Sequence, residues 1–162
     1  MYPHHKIDLD EKPNKRFKKI GENFKKGIAN AKDTFQAMIS PTVFQLFNTL
    51  AANLETIQPE RWEELKGLAD GANIDVNVLA MFSYEYDLAA LCSSIIVRTA
   101  DGSIMHGRNL DFPGTLLIRN ITFIGEFYKG GKHIFDALMM AGDVSIYTGA
   151  RVGEYSITEN WR

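Results

Sequence analysis

Cys92-Ser-Ser-Ile-Ile-Val-Arg98, followed by Asp101-Gly102 and then His106-Gly-Arg-Asn-Leu-Asp-Phe-Pro113, marks where the hydrophobic period of the chain changes. Before it, apolar residues recur every three or four positions. From it onward, short apolar runs alternate with glycine-containing turns. Two such runs joined by Asp-Gly pair as a β-hairpin, which carries Arg108 and Asp111 back towards Cys92. A thiol beside a guanidinium ionises more readily, and the thiolate is the reactive form. Arg108 and Asp111 differ by an odd number of positions, so a regular strand points them to opposite faces. Both reach Cys92 only if the strand ends or bulges near Asn109.

Working back from Cys92, the chain reads as helices. Phe17, Ile20, Phe24, Ile28, Ala31, Phe35 and Ile39 form one apolar face, weakened as a helix by Gly21 and Gly27, so docking must hold it. Ser40-Pro41 is a cap and first-turn pair for a second helix, with Val43, Phe47, Leu50, Leu54 and Ile57 inward. Pro59 opens a third helix through Trp62, Leu65 and Leu68 that Gly71 closes. Asp75 caps a fourth, running through Leu79 and Phe82 towards Tyr86.

Working forward, residues 92–98, 103–110, 115–124, 133–140, 144–149 and 154–158 read as strands. Asp-Gly, Pro-Gly, Lys-Gly-Gly-Lys and Ala-Gly-Asp separate them. Helices followed by meandering strands predict an α+β domain with an antiparallel sheet, its two regions meeting at Cys92: 1–91 helical with a basic N-terminal arm, 92–162 strand-rich.

Composition narrows the functions. A 162-residue chain with 45% apolar residues builds a substantial core. A net charge of -2 argues against a dedicated nucleic-acid binder. Basic residues outnumber acidic ones nine to five over residues 1–40, are outnumbered eight to two over 41–91, and balance at seven each over 92–162. Within the basic stretch Lys12–Lys26, Phe17 and Phe24 interleave with Lys15, Arg16, Lys18, Lys19, Lys25 and Lys26, the pattern of a membrane-surface helix or of a solvated helix with one docked face. One cysteine excludes an internal disulfide, and four histidines at scattered spacing give no metal pattern, so no cofactor is expected. No secretory signal opens the chain as given, and no run reaches membrane-spanning length. Asn120-Ile-Thr122 fits a glycosylation sequon inside a predicted strand.

Each candidate has a plainer reading. A lone cysteine at the start of an apolar strand is more often a small buried hydrophobe than a nucleophile. Arg108 and Asp111 could form a surface ion pair of little energetic weight. His106 could be a satisfied histidine at a strand edge.

Taken together, LCSSIIVRTADGSIMHGRNLDFP resembles the acid ceramidase and N-acylethanolamine acid amidase family of N-terminal-nucleophile amidases. That family has a Cys-[Thr/Ser]-Ser-Ile-Val strand followed by His-Gly-Arg-Asn-[Leu/Met]-Asp. Farther on, MMAGDVSIYTGARVGEYSITENWR resembles the family's Gly-x-Val-Gly-x-x-Thr-Gly and Phe-Ser-[Ile/Leu]-[Ser/Thr]-x-Asn-x-Arg segments. The resemblance implies an αββα sandwich and a lysosomal lipid amidase acting on fatty-acid amides. It implies that Cys92 cleaves the Leu91–Cys92 bond and then, as a new N-terminus, attacks the substrate carbonyl with its own α-amine as base. Arg108 would hold the thiolate and orient the carbonyl, and Asp111 would fix the new amino group.

Asp143 and Ser145 stand where the family favours an aromatic residue and a glycine, and Ser93 replaces the commoner threonine. The family also continues beyond the equivalent of Arg162, with further active-site groups. The expectation is therefore a lipid amidase completed by further polypeptide, such as a second chain. The alternative is a non-catalytic interaction or accessory subunit of a larger assembly.

Overall fold

The computed structural model describes residues 1–38, 40–89, 91–111 and 118–160. The basic N-terminal arm forms strand β1 (His4–Asp8) and one turn of helix α1 (Pro13–Arg16). Four helices follow: α2 (Lys18–Met38), α3 (Pro41–Ile57), α4 (Pro59–Ala72) and α5 (Val76–Ala89). Then come β2 (Leu91–Arg98), β3 (Ile104–Asp111), β4 (Thr122–Lys129), β5 (Lys132–Met140), β6 (Thr148–Arg151) and β7 (Tyr155–Thr158). The class is α+β, with the change from helix to strand at the cysteine.

Among the described residues two sheets form: five strands in the order β1-β4-β5-β6-β7, and the separate hairpin β2-β3. All pairs are antiparallel except β1 with β4, which run parallel from His4↔Ile124 to Asp8↔Tyr128. The larger sheet is thus mixed where an antiparallel one was predicted. His4–Asp8 alternates too weakly to announce a strand. What recruits it is Ile7, fully buried in the main core, together with His5, whose ring lies 5.5 Å from Phe24 and 5.6 Å from Phe123.

Helices cover one face of the five-stranded sheet. Phe17, Ile20 and Ile28 of the first helical stretch join Leu65 and Leu68 of α4 and Phe123, Phe127, Ala137 and Met139 of β4 and β5 in one core. The apolar side of Lys12–Lys26 is therefore docked. Arg16 fastens this corner: its Nη1 donates to Glu60 at 2.7 Å and Glu64 at 2.8 Å, and its Nη2 to the Leu9 carbonyl at 2.9 Å.

Three predicted boundaries move, each for a local reason. Gly71 does not end α4. It lies where α2 crosses so closely that an added Cβ would stand 2.0 Å from the Lys18 carbonyl oxygen. The terminator is Asn73, in the left-handed region at φ 57°, with Ile74 N–H closing back on Ala69. The strand expected at 115–124 begins at Thr122. Residues 118 and 119 are helical and 120 and 121 form a turn, and the Thr122 hydroxyl donates to the Ile118 carbonyl at 2.7 Å. Asn120 of the sequon is exposed in that turn, whereas residues 115–117, Phe112 and Pro113 lie outside the described residues. The strand expected at 144–149 begins only at Thr148, because residues 143–147 wrap around Arg61.

Candidate active site

The hairpin is regular from Leu91↔Asp111 to Arg98↔Ile104, without a bulge, and residue parity therefore assigns every side chain to a face. Cys92, Ser94, His106, Arg108 and Leu110 share one face and are half-buried. Ser93, Ile95, Gly107, Asn109 and Asp111 share the other and are exposed. The half-buried face looks towards the five-stranded sheet. Ser94 Oγ lies 2.8 Å from Thr158 Oγ1, His106 Nδ1 2.7 Å from Ser156 Oγ, and Arg108 Nη2 donates to the Glu159 carbonyl at 2.6 Å. Helices, sheet and hairpin thus form three layers, with Cys92 between the second and third.

Cys92 sits directly opposite Leu110 and one step diagonally from Arg108. Arg108 Nη1 also donates to the Asn109 carbonyl at 2.8 Å, so its fork is braced by two carbonyls while its side chain stays on the Cys92 face. Asp111 is elsewhere. It lies on the outer face opposite Leu91, accepting a bond from Asn109 Nδ2 at 2.8 Å. Register alone brings Cys92 and Arg108 together. Asp111 is level with the Leu91–Cys92 peptide at the hairpin's end.

Tyr147, buried just before β6, packs against Cys92, Leu110 and Met140. With Leu110, Met140 and Arg108 it lines a cavity of about 400 Å³ that Ile118 and Leu138 complete as apolar walls. That volume falls in the range of small-molecule sites, and mostly apolar walls with two cations, Arg108 and Arg119, suit an acyl chain carrying a polar head. Behind the ring, the Tyr147 hydroxyl donates to the buried carboxylate of Asp143. Arg61 of α4 donates to that carboxylate at 3.3 Å and to Ser145 Oγ at 2.5 Å. Burial first, and then the negative Asp143, push the Tyr147 hydroxyl well above its ordinary pKa, so it stays protonated. In the sequence Asp143 and Ser145 stand out as departures from the family pattern, but nothing along the chain connects them to Arg61, 82 positions away from Asp143. Only the unusual aspartate in an apolar run hinted at them.

Comparison with known proteins finds relatives named as acid amidases and acid ceramidases. The N-acylethanolamine-hydrolyzing acid amidase of Caenorhabditis elegans is 31% identical over 98% of this chain and 48% of its own length. The Cavia porcellus enzyme of the same name is 26% identical over 99% of this chain and 46% of its own. Acid ceramidase of Bos taurus is 34% identical over 62% of this chain and 29% of its own. The chain is related to the N-acylethanolamine acid amidases and acid ceramidases. It spans about half the length of the curated amidases it matches from end to end. No family model matches the chain.

Proposed function

We propose that this chain carries the nucleophile half of a cysteine amidase that hydrolyses fatty-acid amide lipids, N-acylethanolamines or ceramides. The observation that carries the proposal is that Cys92 and Arg108 share the inward face of one hairpin, beside an apolar-walled cavity. In the first step Cys92 Sγ bonds to the Leu91 carbonyl carbon and the Leu91–Cys92 C–N bond breaks. Water then hydrolyses the thioester, leaving a Leu91 carboxylate and a free Cys92 α-amine. In turnover, Sγ bonds to the lipid's amide carbon, the thiol proton passes through the α-amine to the leaving amine, and water releases the fatty acid. Arg108 holds the thiolate. Asp111, at the hairpin's end, is placed to orient an α-amine that can be approached from either face once Leu91 has left. An acidic, lysosomal compartment belongs to the same proposal.

A second polypeptide, if one completes the assembly, has its seat on the outer face of the hairpin, where Ile95, Val97 and Met105 stand exposed. The rival reading, a non-catalytic accessory subunit, draws on Asp111 facing away from Cys92. Intact-mass spectrometry of the natural protein as purified from its source separates the two. The amidase reading expects a break between Leu91 and Cys92 that Cys92→Ala abolishes, together with release of fatty acid from an N-acylethanolamine. A folded protein with that bond whole and no amide turnover overturns it.

A further inference from the structure

We propose that Arg61, Asp143 and Tyr147 form a positioning relay through which the helical layer sets the orientation and charge environment of Cys92. The proposal rests on Cys92 being the reactive group. It begins with the Tyr147 ring, which is 4% exposed and packs directly on the cysteine. An aromatic wall keeps its neighbour in place only if it is itself held. Here both ends are held: the hydroxyl donates to Asp143, and the backbone carbonyl accepts the Glu159 N–H at 3.0 Å. Asp143 is fixed in turn by the Val144 N–H at 2.8 Å and by Arg61 at 3.3 Å. Arg61 belongs to α4, and its own Nη1 reaches Gln58 at 3.1 Å.

The relay thus runs from the residues before Cys92 to the hairpin that follows it, and it crosses the bond at which the proposed self-cleavage separates them. Its charges matter as well as its shape. A buried carboxylate opposes formation of a nearby thiolate, and the guanidinium offsets that opposition. The other charged residues brought to this corner are Arg108 across the hairpin, Arg119, which lines the same cavity as Tyr147, and Glu159 after β7.

Because Cys92 is the only cysteine, alkylation by iodoacetamide, followed by intact mass across a range of pH, reads this site alone. Arg61→Gln and Tyr147→Phe each take a donor away from the carboxylate. Both are expected to move the alkylation midpoint to higher pH and to slow the reaction about threefold below it. Asp143→Asn removes the charge itself and is expected to move the midpoint the opposite way. The double variant Arg61→Gln/Asp143→Asn is expected to return towards the natural chain. A purely structural role cannot give opposite signs that cancel. Midpoints unchanged in folded variants, or all displaced in one direction, overturn the relay. Tyr147→Phe deletes a single atom and keeps the test decisive if the other variants do not fold. Alkylation proceeds whether or not an amide is ever cut. The expected shifts in a chain with no amidase activity would therefore sink the proposed function and leave the relay standing.

Discussion

Asp101 shows how much one side chain organises the hairpin that carries the cysteine. Its carboxylate accepts the Thr99 hydroxyl at 2.5 Å and the Ser103 N–H at 3.0 Å, while Gly102 takes φ 88° beside it. The Thr99 bond first, then the Ser103 N–H, hold the Asp101 carboxyl down to about 2. A depressed acid contributes stability that is fully present above its unfolded value and lost as pH falls through the folded one. The turn should therefore hold firm at pH 4 and above, and loosen as the pH drops through about 2. An NMR titration of the Asp101 carboxyl with its midpoint at the ordinary 3.8 would show the turn bonds absent in solution.

At the scale of elements, the decisive contact is α2 against α4. Gly21 and Gly71 bring the two backbones together. A Cβ on Gly21 would stand 2.2 Å from the Leu68 carbonyl oxygen, and one on Gly71 2.0 Å from that of Lys18. Each obstacle is backbone, which cannot swing aside. Glycine lowers helix propensity in isolation, and α2 accepts that cost because close approach buries Phe17, Ile20, Leu65 and Leu68 in one core. Gly71→Ala, favourable by propensity alone, is expected to destabilise by about 1–3 kcal/mol through overpacking. Urea unfolding reads this directly, and an unchanged or raised midpoint would mean that the helices do not approach so closely. The β5–β6 connection tells the same story in polar terms: a loop replaces part of a predicted strand because Asp143 and Ser145 bond to Arg61 rather than to a neighbouring strand.

For the whole molecule, the hairpin has two unlike faces. Ile95 is 65% exposed on the outer face, whereas Leu110 lies half-buried beside Tyr147 on the inner one. Ile95→Lys should change stability by no more than about 0.5 kcal/mol and reduce self-association, since it breaks an exposed apolar patch. Leu110→Lys should lower the unfolding midpoint, because a cation would enter the cavity wall next to Arg108. Light scattering and thermal unfolding of the two variants compare the faces. Equal tolerance at both positions would place the hairpin in a different register.

Read by itself, the sequence determined what depends on neighbours along the chain. The period change at Cys92, the Ser40-Pro41 cap, the Asp101-Gly102 turn and the paired glycines at 130 and 131, both at positive φ, are local preferences, and the structure realises each. The opposite facing of Arg108 and Asp111 along a regular strand is legible in the sequence too, since side-chain alternation follows from strand geometry alone. The regular register then put Asp111 on the outer face. Tertiary structure decided the rest. A five-residue segment near the N-terminus became a strand because β4 offered its edge and the core took Ile7. A glycine read as a helix stop became a helix crossing. Arg61 met Asp143 because two layers packed, and no spacing rule links residues that far apart. Local geometry is written in adjacent residues, whereas burial and pairing across the fold depend on which surfaces meet.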